Sequence, residues 1–130
     1  MFVIARHDWS RYSNKFNLNL TYSLIVLPFQ VKLQPAQSDP NGAPSSYHII
    51  GSNDEVCNDD ATWTVLCEDL SDKPWRDHWE VRYCRVKPEI TRKFRCLGIK
   101  ALKNHRKDGY TNLRNVRMWE RIESELKDEL

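Results

Sequence analysis

The 130-residue sequence contains no hydrophobic run long enough to cross a membrane. Its longest apolar stretch, from Leu24 to Val31, is interrupted by Pro28 and Gln30, whereas a spanning helix needs about 18 apolar residues. The catalytic motifs H-E-x-x-H and G-x-S-x-G are missing, and so is the phosphate-binding P-loop. These absences argue against a membrane-spanning protein and against an enzyme of the common motif classes.

The four histidines, His7, His48, His78 and His105, fall in separate segments without a catalytic spacing. We therefore predict that they are solvated or core residues and that the protein is not an enzyme. A hydrolase is the remote alternative, and it requires two or more histidines or carboxylates to converge in one pocket.

The four cysteines, Cys57, Cys67, Cys84 and Cys96, include no C-x-x-C pair, which argues against a zinc site. A hairpin turning near Ile90 would place Cys84 and Cys96 opposite each other, and this predicts a disulfide between them. The alternative is four free thiols packed as small hydrophobic side chains in a cytosolic protein.

Charge is distributed unevenly, although the net charge of the chain is only +2. Residues 1–72 carry a net charge of −5, residues 73–117 carry +10, and residues 118–130 carry −3. The basic segment predicts attraction to an acidic partner or ligand, or pairing with the acidic ends of the same chain. Sequence-specific binding to nucleic acid is not expected, because the pattern provides no helix to enter a major groove.

Apolar and polar residues alternate with a period of two in six to eight short segments separated by turn residues. Examples are Phe29–Leu33, Tyr47–Ile49 and Trp79–Tyr83. The pattern predicts an all-β fold, an antiparallel β-sandwich over residues 1–120. Ile122 and Leu126, spaced i,i+4 in a charged segment, predict a short helical tail over residues 121–130.

Four segments in order resemble the discoidin-like family, whose members have a galactose-binding-like jelly-roll sandwich. They are residues 46–54 (SYHIIGSND), 63–66 (WTVL), 93–99 (KFRCLGI) and 110–119 (YTNLRNVRMW). In residues 46–54, Gly51 is expected to take the positive φ of a tight turn. The resemblance covers residues 16–120, and the family's usual N-terminal segment is mostly missing, so the chain resembles a divergent or N-terminally truncated member.

This resemblance implies a non-catalytic binding module that recognises a protein, glycan or anionic ligand through loops at one end of the sandwich. The loops in question are the turn at 51–60, the loop at 68–76 and the basic loop at 103–110. The oligomeric state is not predicted. The predicted ligand-binding residues are Asn53, Asp54, Trp75, His105, Arg106, Lys107 and Tyr110.

Oxygen-bearing side chains crowd residues 53–60, where calcium is a weaker alternative to a solvated turn. The spacing differs from that of an EF-hand loop, so no cofactor is predicted.

The chain ends in Lys127, Asp128, Glu129 and Leu130, the tetrapeptide that addresses lumenal proteins back to the endoplasmic reticulum. This tail predicts an alternative function, a soluble lumenal protein acting in folding or retention. Residues 2–4 are too short for the apolar part of a signal peptide, and charged residues follow them. The N-terminus therefore favours the cytoplasm, and the lumen is expected if a signal peptide is missing from this sequence.

Overall fold

Two antiparallel four-stranded sheets make up the fold in the computed structural model, which describes residues 3–14, 17–37, 39–105 and 111–121. The first sheet has the strand order β1-β8-β3-β6, and the second has the order β2-β7-β4-β5. The strands are β1 (Val3–Asn14), β2 (Asn17–Val26), β3 (Pro28–Gln34), β4 (Ser46–Ser52), β5 (Thr64–Asp69), β6 (Arg82–Arg85), β7 (Phe94–Lys103) and β8 (Thr111–Arg121).

The core lies between the two sheets, and the period-two pattern of the strands explains it. Val31 and Leu33 of β3 are buried, while Lys32 between them is only half-buried. On the second sheet, Tyr47 and Ile49 of β4 are each 1% exposed. The predicted antiparallel β-sandwich is therefore confirmed.

Residues 3–14, which precede the segment covered by the family resemblance, form β1 at the edge of the first sheet, where β1 pairs with β8. The strand expected at Trp79–Tyr83 begins only at Arg82, because a turn occupies residues 78–79. The predicted helical tail lies outside the described residues except for Arg121, which ends β8.

The predicted disulfide between Cys84 and Cys96 is wrong, because β6 and β7 do not form a hairpin. Residues 86–93 instead cross from the first sheet to the second, so that the two cysteines lie on different sheets. Cys84 of β6 is bonded to Cys67 of β5, and this disulfide joins the edge strands of the two sheets. Cys96 of β7 is bonded to Cys57 in the loop before β5.

Gly51 lies within β4 and does not have the positive φ that its sequence context suggested. A Cβ atom at this position would lie 2.8 Å from Cδ1 of Phe94 and 3.3 Å from Cδ1 of Leu66. Both neighbours are fully buried. A glycine is therefore required here for close packing and not for a turn.

Gly51→Ala is expected to lower the free energy of unfolding by about 1–3 kcal/mol, because the added methyl group overpacks the core against Phe94. Urea unfolding of the single variant would measure this. Adding Phe94→Leu should give a double variant less destabilised than the sum of the two single changes, because the smaller side chain makes room for the methyl group. Additive effects, or a Gly51→Ala protein as stable as the parent, would contradict the packing explanation.

No helix among the described residues has the length and apolar character needed to cross a bilayer.

Candidate ligand-binding loops of the sandwich

Strand directions divide the loops between the two ends of the sandwich. At one end, Ser46 pairs with Lys103 and Tyr47 with Asp69. This end carries the loops 35–45 and 70–81 and residues 104–105, and we call it the Trp75 end. At the other end, Gly51 pairs with Thr64 and Ser52 with Cys96. That end carries the loops 53–63 and 86–93, and we call it the Cys57 end.

The predicted ligand-binding residues are consequently not in one place. Trp75 and His105 lie at the Trp75 end, whereas Asn53 and Asp54 lie at the Cys57 end, with the length of β4 between the two pairs. Arg106, Lys107, Tyr110 and the tail residues Lys127, Asp128, Glu129 and Leu130 lie outside the described residues.

Asn53 and Asp54 bond to the backbone of the protein itself. The Asn53 amide donates to the carbonyl of Lys93 (2.9 Å) and accepts from the N–H of Arg95 (3.0 Å), which fixes the loop to the start of β7. The Asp54 carboxylate accepts from the N–H of Thr62 (2.7 Å) and closes the loop on itself. These contacts give both residues a role in shaping the Cys57 end.

Asn58 is likewise engaged within the loop. The Asn58 side chain accepts from the N–H of Asp60 (3.0 Å), and its carbonyl accepts from Nε1 of Trp63 (3.0 Å). Within the described part of the chain, no three His, Cys, Asp or Glu side chains come together as a metal site.

Trp75 anchors the loop at residues 70–81. Its ring is only 4% exposed, and its Nε1 donates to the carbonyl of Pro44 in the neighbouring loop (3.0 Å). The guanidinium of Arg82 lies 4.0 Å from the centre of the ring. A buried ring offers no face to a ligand in solvent, so Trp75 positions the loop that carries other contact residues.

Arg82 connects this anchor to the backbone around it. Its two terminal nitrogens donate to the carbonyls of Lys73 and Pro74, each at 2.8 Å, and its Nε donates to Glu80 at 2.7 Å. Partial burial acts to raise the pKa of Glu80. The hydrogen bonds from Arg76 N–H and Arg82, together with their charges, outweigh it and hold that pKa below its usual range. Glu80 therefore binds both Arg76 of the loop and Arg82 at the start of β6.

Asp72 and His105 bring two loops together at the same end. Ser45 donates to Oδ1 of Asp72 (2.6 Å), and Nε2 of His105 lies 3.4 Å from that same oxygen. The hydrogen bond from Ser45 lowers the pKa of Asp72, with smaller contributions from Lys103 and His105. Asp72 has a φ of 53°, a left-handed conformation that an aspartate tolerates better than most residues. The carboxylate and imidazole form a polar pair accessible to solvent.

Trp79, which no sequence pattern marked as a binding residue, is the most exposed large apolar side chain among the described residues of this end, with 69% of its surface accessible. The ring of His78 lies 4.5 Å from it, centre to centre. Asp77 supports the turn, because its carboxylate accepts from the N–H groups of Trp79 (2.8 Å) and Glu80 (3.0 Å). An aspartate starting such a turn is a recognisable sequence signal, but the alternation of Trp79 with Val81 and Tyr83 favoured a strand.

The described histidines make separate contacts, and two of them, His78 and His105, lie at the Trp75 end. His48 of β4 is 3.1 Å from Glu68 on the outer surface of the second sheet, His105 contacts Asp72, and His78 lies beside Trp79. His7 is on β1 of the first sheet.

Comparison with known proteins finds similarity in three dimensions only. No protein-family model and no curated protein sequence matches the chain. The family 32 carbohydrate-binding module of NanJ from Clostridium perfringens, solved in complex with galactose, matches with a TM-score of 0.60 and 13% identity. The match covers 89% of this chain and 93% of that one.

Two further modules from Clostridium perfringens have similar scores. A family 32 module in complex with GalNAc-β-1,3-galactose gives a TM-score of 0.58 at 14% identity, over 78% of this chain and 63% of that one. A module from a family 31 glycoside hydrolase gives 0.61 at 14% identity, over 85% and 75% respectively. At this level of identity the likeness concerns the fold. The chain has the discoidin-like, galactose-binding-like sandwich of the family 32 carbohydrate-binding modules, which are non-catalytic modules that also occur within enzymes.

Proposed function

We propose that the protein binds a glycan containing galactose or N-acetylgalactosamine, without catalysis, through the loops of the Trp75 end. The observation that carries this proposal is the exposed ring of Trp79 beside His78, on a loop that Trp75 and Arg82 hold in place. The structures with the same fold that contain galactose and GalNAc-β-1,3-galactose support the choice of sugar.

The chemistry of this end suits a sugar. The less polar face of a galactose ring stacks on an aromatic ring, and its hydroxyl groups need polar partners held in fixed positions. Trp79 supplies the ring surface. His78, Asp72 and His105 supply imidazole and carboxylate groups, and Asp72 is fixed by its hydrogen bond with Ser45. Preformed loops bind a ligand at a lower entropic cost than mobile ones do.

Trp79→Ala is expected to weaken binding of galactose-containing oligosaccharides by about tenfold or more, because the stacking surface is lost. Isothermal titration calorimetry with lactose and GalNAc-β-1,3-galactose would measure the loss, with maltose as the sugar control. Because Trp79 is exposed, its replacement should leave thermal stability nearly unchanged.

Tyr83→Ala is the matched control, since Tyr83 is also an exposed aromatic residue (59%) but lies on β6. Unchanged galactoside binding is expected for this variant. If Trp79→Ala binds galactosides as tightly as the parent, or if the parent binds none of them, the proposal is wrong.

We further propose that the protein works in an oxidising compartment, with the lumen of the endoplasmic reticulum as the location addressed by residues 127–130. This is also the setting for the alternative role in folding or retention. The support is that Cys57–Cys96 and Cys67–Cys84 leave none of the four cysteines as a free thiol, and stable disulfides are rare in the cytosol. Maleimide treatment of the denatured, unreduced protein should add no mass. Four additions would contradict this placement.

A further inference from the structure

The outer face of the first sheet carries a second group of aromatic and cationic side chains, on strands β3, β6 and β8 and not on the loop of Trp79. Register partners in an antiparallel sheet lie on the same face. One row consists of Tyr83, Lys32 and Arg117, and the next consists of Arg85, Gln30 and Trp119. The alternate residues of β3, Val31 and Leu33, point into the core, so these two rows point away from it.

The two aromatic rings of this face approach each other across β3. The centres of the Tyr83 and Trp119 rings lie 6.5 Å apart, with 44° between the ring planes. Tyr83 is 59% exposed, and Trp119 is half-buried. Gln30 lies between their strands and adds an amide that can both donate and accept hydrogen bonds. The result is a pair of adjacent, mutually tilted aromatic rings on paired strands, with a polar amide between them.

Lys32 and Arg85 give this face a positive charge. The Arg85 guanidinium lies 4.9 Å from the ring of Phe29, which holds the exposed arginine against the sheet. Among the described side chains of these two rows, Lys32 and Arg85 are the cations assigned to the ligand, and none is a carboxylate.

From this juxtaposition we propose that the outer face of the first sheet binds an acidic polysaccharide chain, sulfated or rich in uronic acid. Adjacent sugar rings stack over Tyr83 and Trp119, while their anionic groups pair with Lys32 and Arg85. An acidic peptide could pair with Lys32 and Arg85, but its carboxylate side chains would not stack on the adjacent rings of Tyr83 and Trp119. This site is separate from the galactoside site proposed at the Trp75 end.

Calorimetry with chondroitin sulfate and polygalacturonate tests the proposal, with dextran as the neutral polymer and poly-glutamate as the acidic peptide. The parent protein should bind both acidic polysaccharides, and more weakly as salt rises. The double variant Lys32→Ala/Arg85→Ala should weaken this binding by about tenfold, and Tyr83→Ala should weaken it by a similar factor.

Arg95→Ala/Lys100→Ala is the matched control, because it removes two exposed positive charges from β7 on the other sheet. It should change the affinity by less than about twofold. Equal losses in the two double variants would show that the net charge alone drives binding and would overturn the proposal. So would unchanged affinity in Tyr83→Ala, or poly-glutamate binding as tight as that of the polysaccharides.

The two proposed sites can be tested independently, because each has its own variants. Galactoside binding should survive Lys32→Ala/Arg85→Ala, and acidic-polysaccharide binding should survive Trp79→Ala. Loss of both activities in either variant, with its fold retained by circular dichroism, would overturn the assignment of two sites.

Discussion

Replacing Cys57 and Cys96 by serine is expected to lower the free energy of unfolding by about 4 kcal/mol. The disulfide joins residues separated by 39 positions in sequence, so breaking it releases a long loop in the unfolded chain. The bond also ties the loop 53–63 to β7, and the variant would place a serine hydroxyl at position 96, where the cysteine is only 4% exposed. Urea unfolding without reductant would measure the difference.

Cys67→Ser/Cys84→Ser is the comparison variant, because its loop spans only 17 positions. The chain-entropy term for this pair is about 3 kcal/mol, smaller than that for the first pair. Both cysteines are buried, however (Cys67 4% and Cys84 5% exposed), so two serine hydroxyls in the core add to the loss in this variant. Addition of reductant should lower the stability of the parent protein towards that of the variants. Parent protein of equal stability with and without reductant would show that these bonds do not stabilise the fold.

The strands that the sequence predicted correctly are those with one face in the core. In β3 and β4 the alternation of residues such as Val31 and Lys32 reports directly which side faces the other sheet. β1 was missed because polar residues dominate Val3–Asn14, and its place depends on pairing with β8, about a hundred residues later in the sequence. Pairing between segments so far apart leaves no local signal in the sequence.

The error at Cys84 has the same origin. Two strands close in sequence usually form a hairpin, but whether the chain turns back within one sheet or crosses to the other depends on the completed core. Here Val86 is buried, and Lys87 donates its N–H to the carbonyl of Leu66 on β5 (2.8 Å). These contacts lead the chain across to the second sheet. The disulfide pairing followed from that crossing and was not readable from spacing.

The candidate site was predicted in part. The sequence indicated the loops 68–76 and 103–110, and the described portions of both lie at the Trp75 end, where His105 contacts Asp72. It also selected Trp75, whose ring is buried, and overlooked Trp79, whose ring is exposed. Composition and spacing indicate that a tryptophan lies in a loop. They do not show that Trp75, and not Trp79, is the one that packs against Pro44 and Arg82 and stabilises the loop.

Trp75→Ala is expected to lower the free energy of unfolding by about 3–5 kcal/mol, since it removes a large buried ring and leaves a cavity. It also leaves the Pro44 carbonyl without its indole donor and the Arg82 guanidinium without the ring beneath it. Trp75→Phe keeps most of the ring and should cost about 1–2 kcal/mol, chiefly for the lost hydrogen bond. Thermal unfolding of the two variants and of Trp79→Ala would rank these effects.

The ranking separates the supporting and contacting roles of the two tryptophans. Trp79→Ala should unfold at nearly the parent's temperature yet lose galactoside affinity. Trp75→Phe should lose a little stability and retain most of that affinity, because the loop stays in place. If Trp75→Ala were as stable as the parent, or if Trp79→Ala were the more destabilised of the two alanine variants, the buried ring would not be the anchor of this loop. Residues other than Trp75 would then have to hold the loop of the proposed glycan site in place.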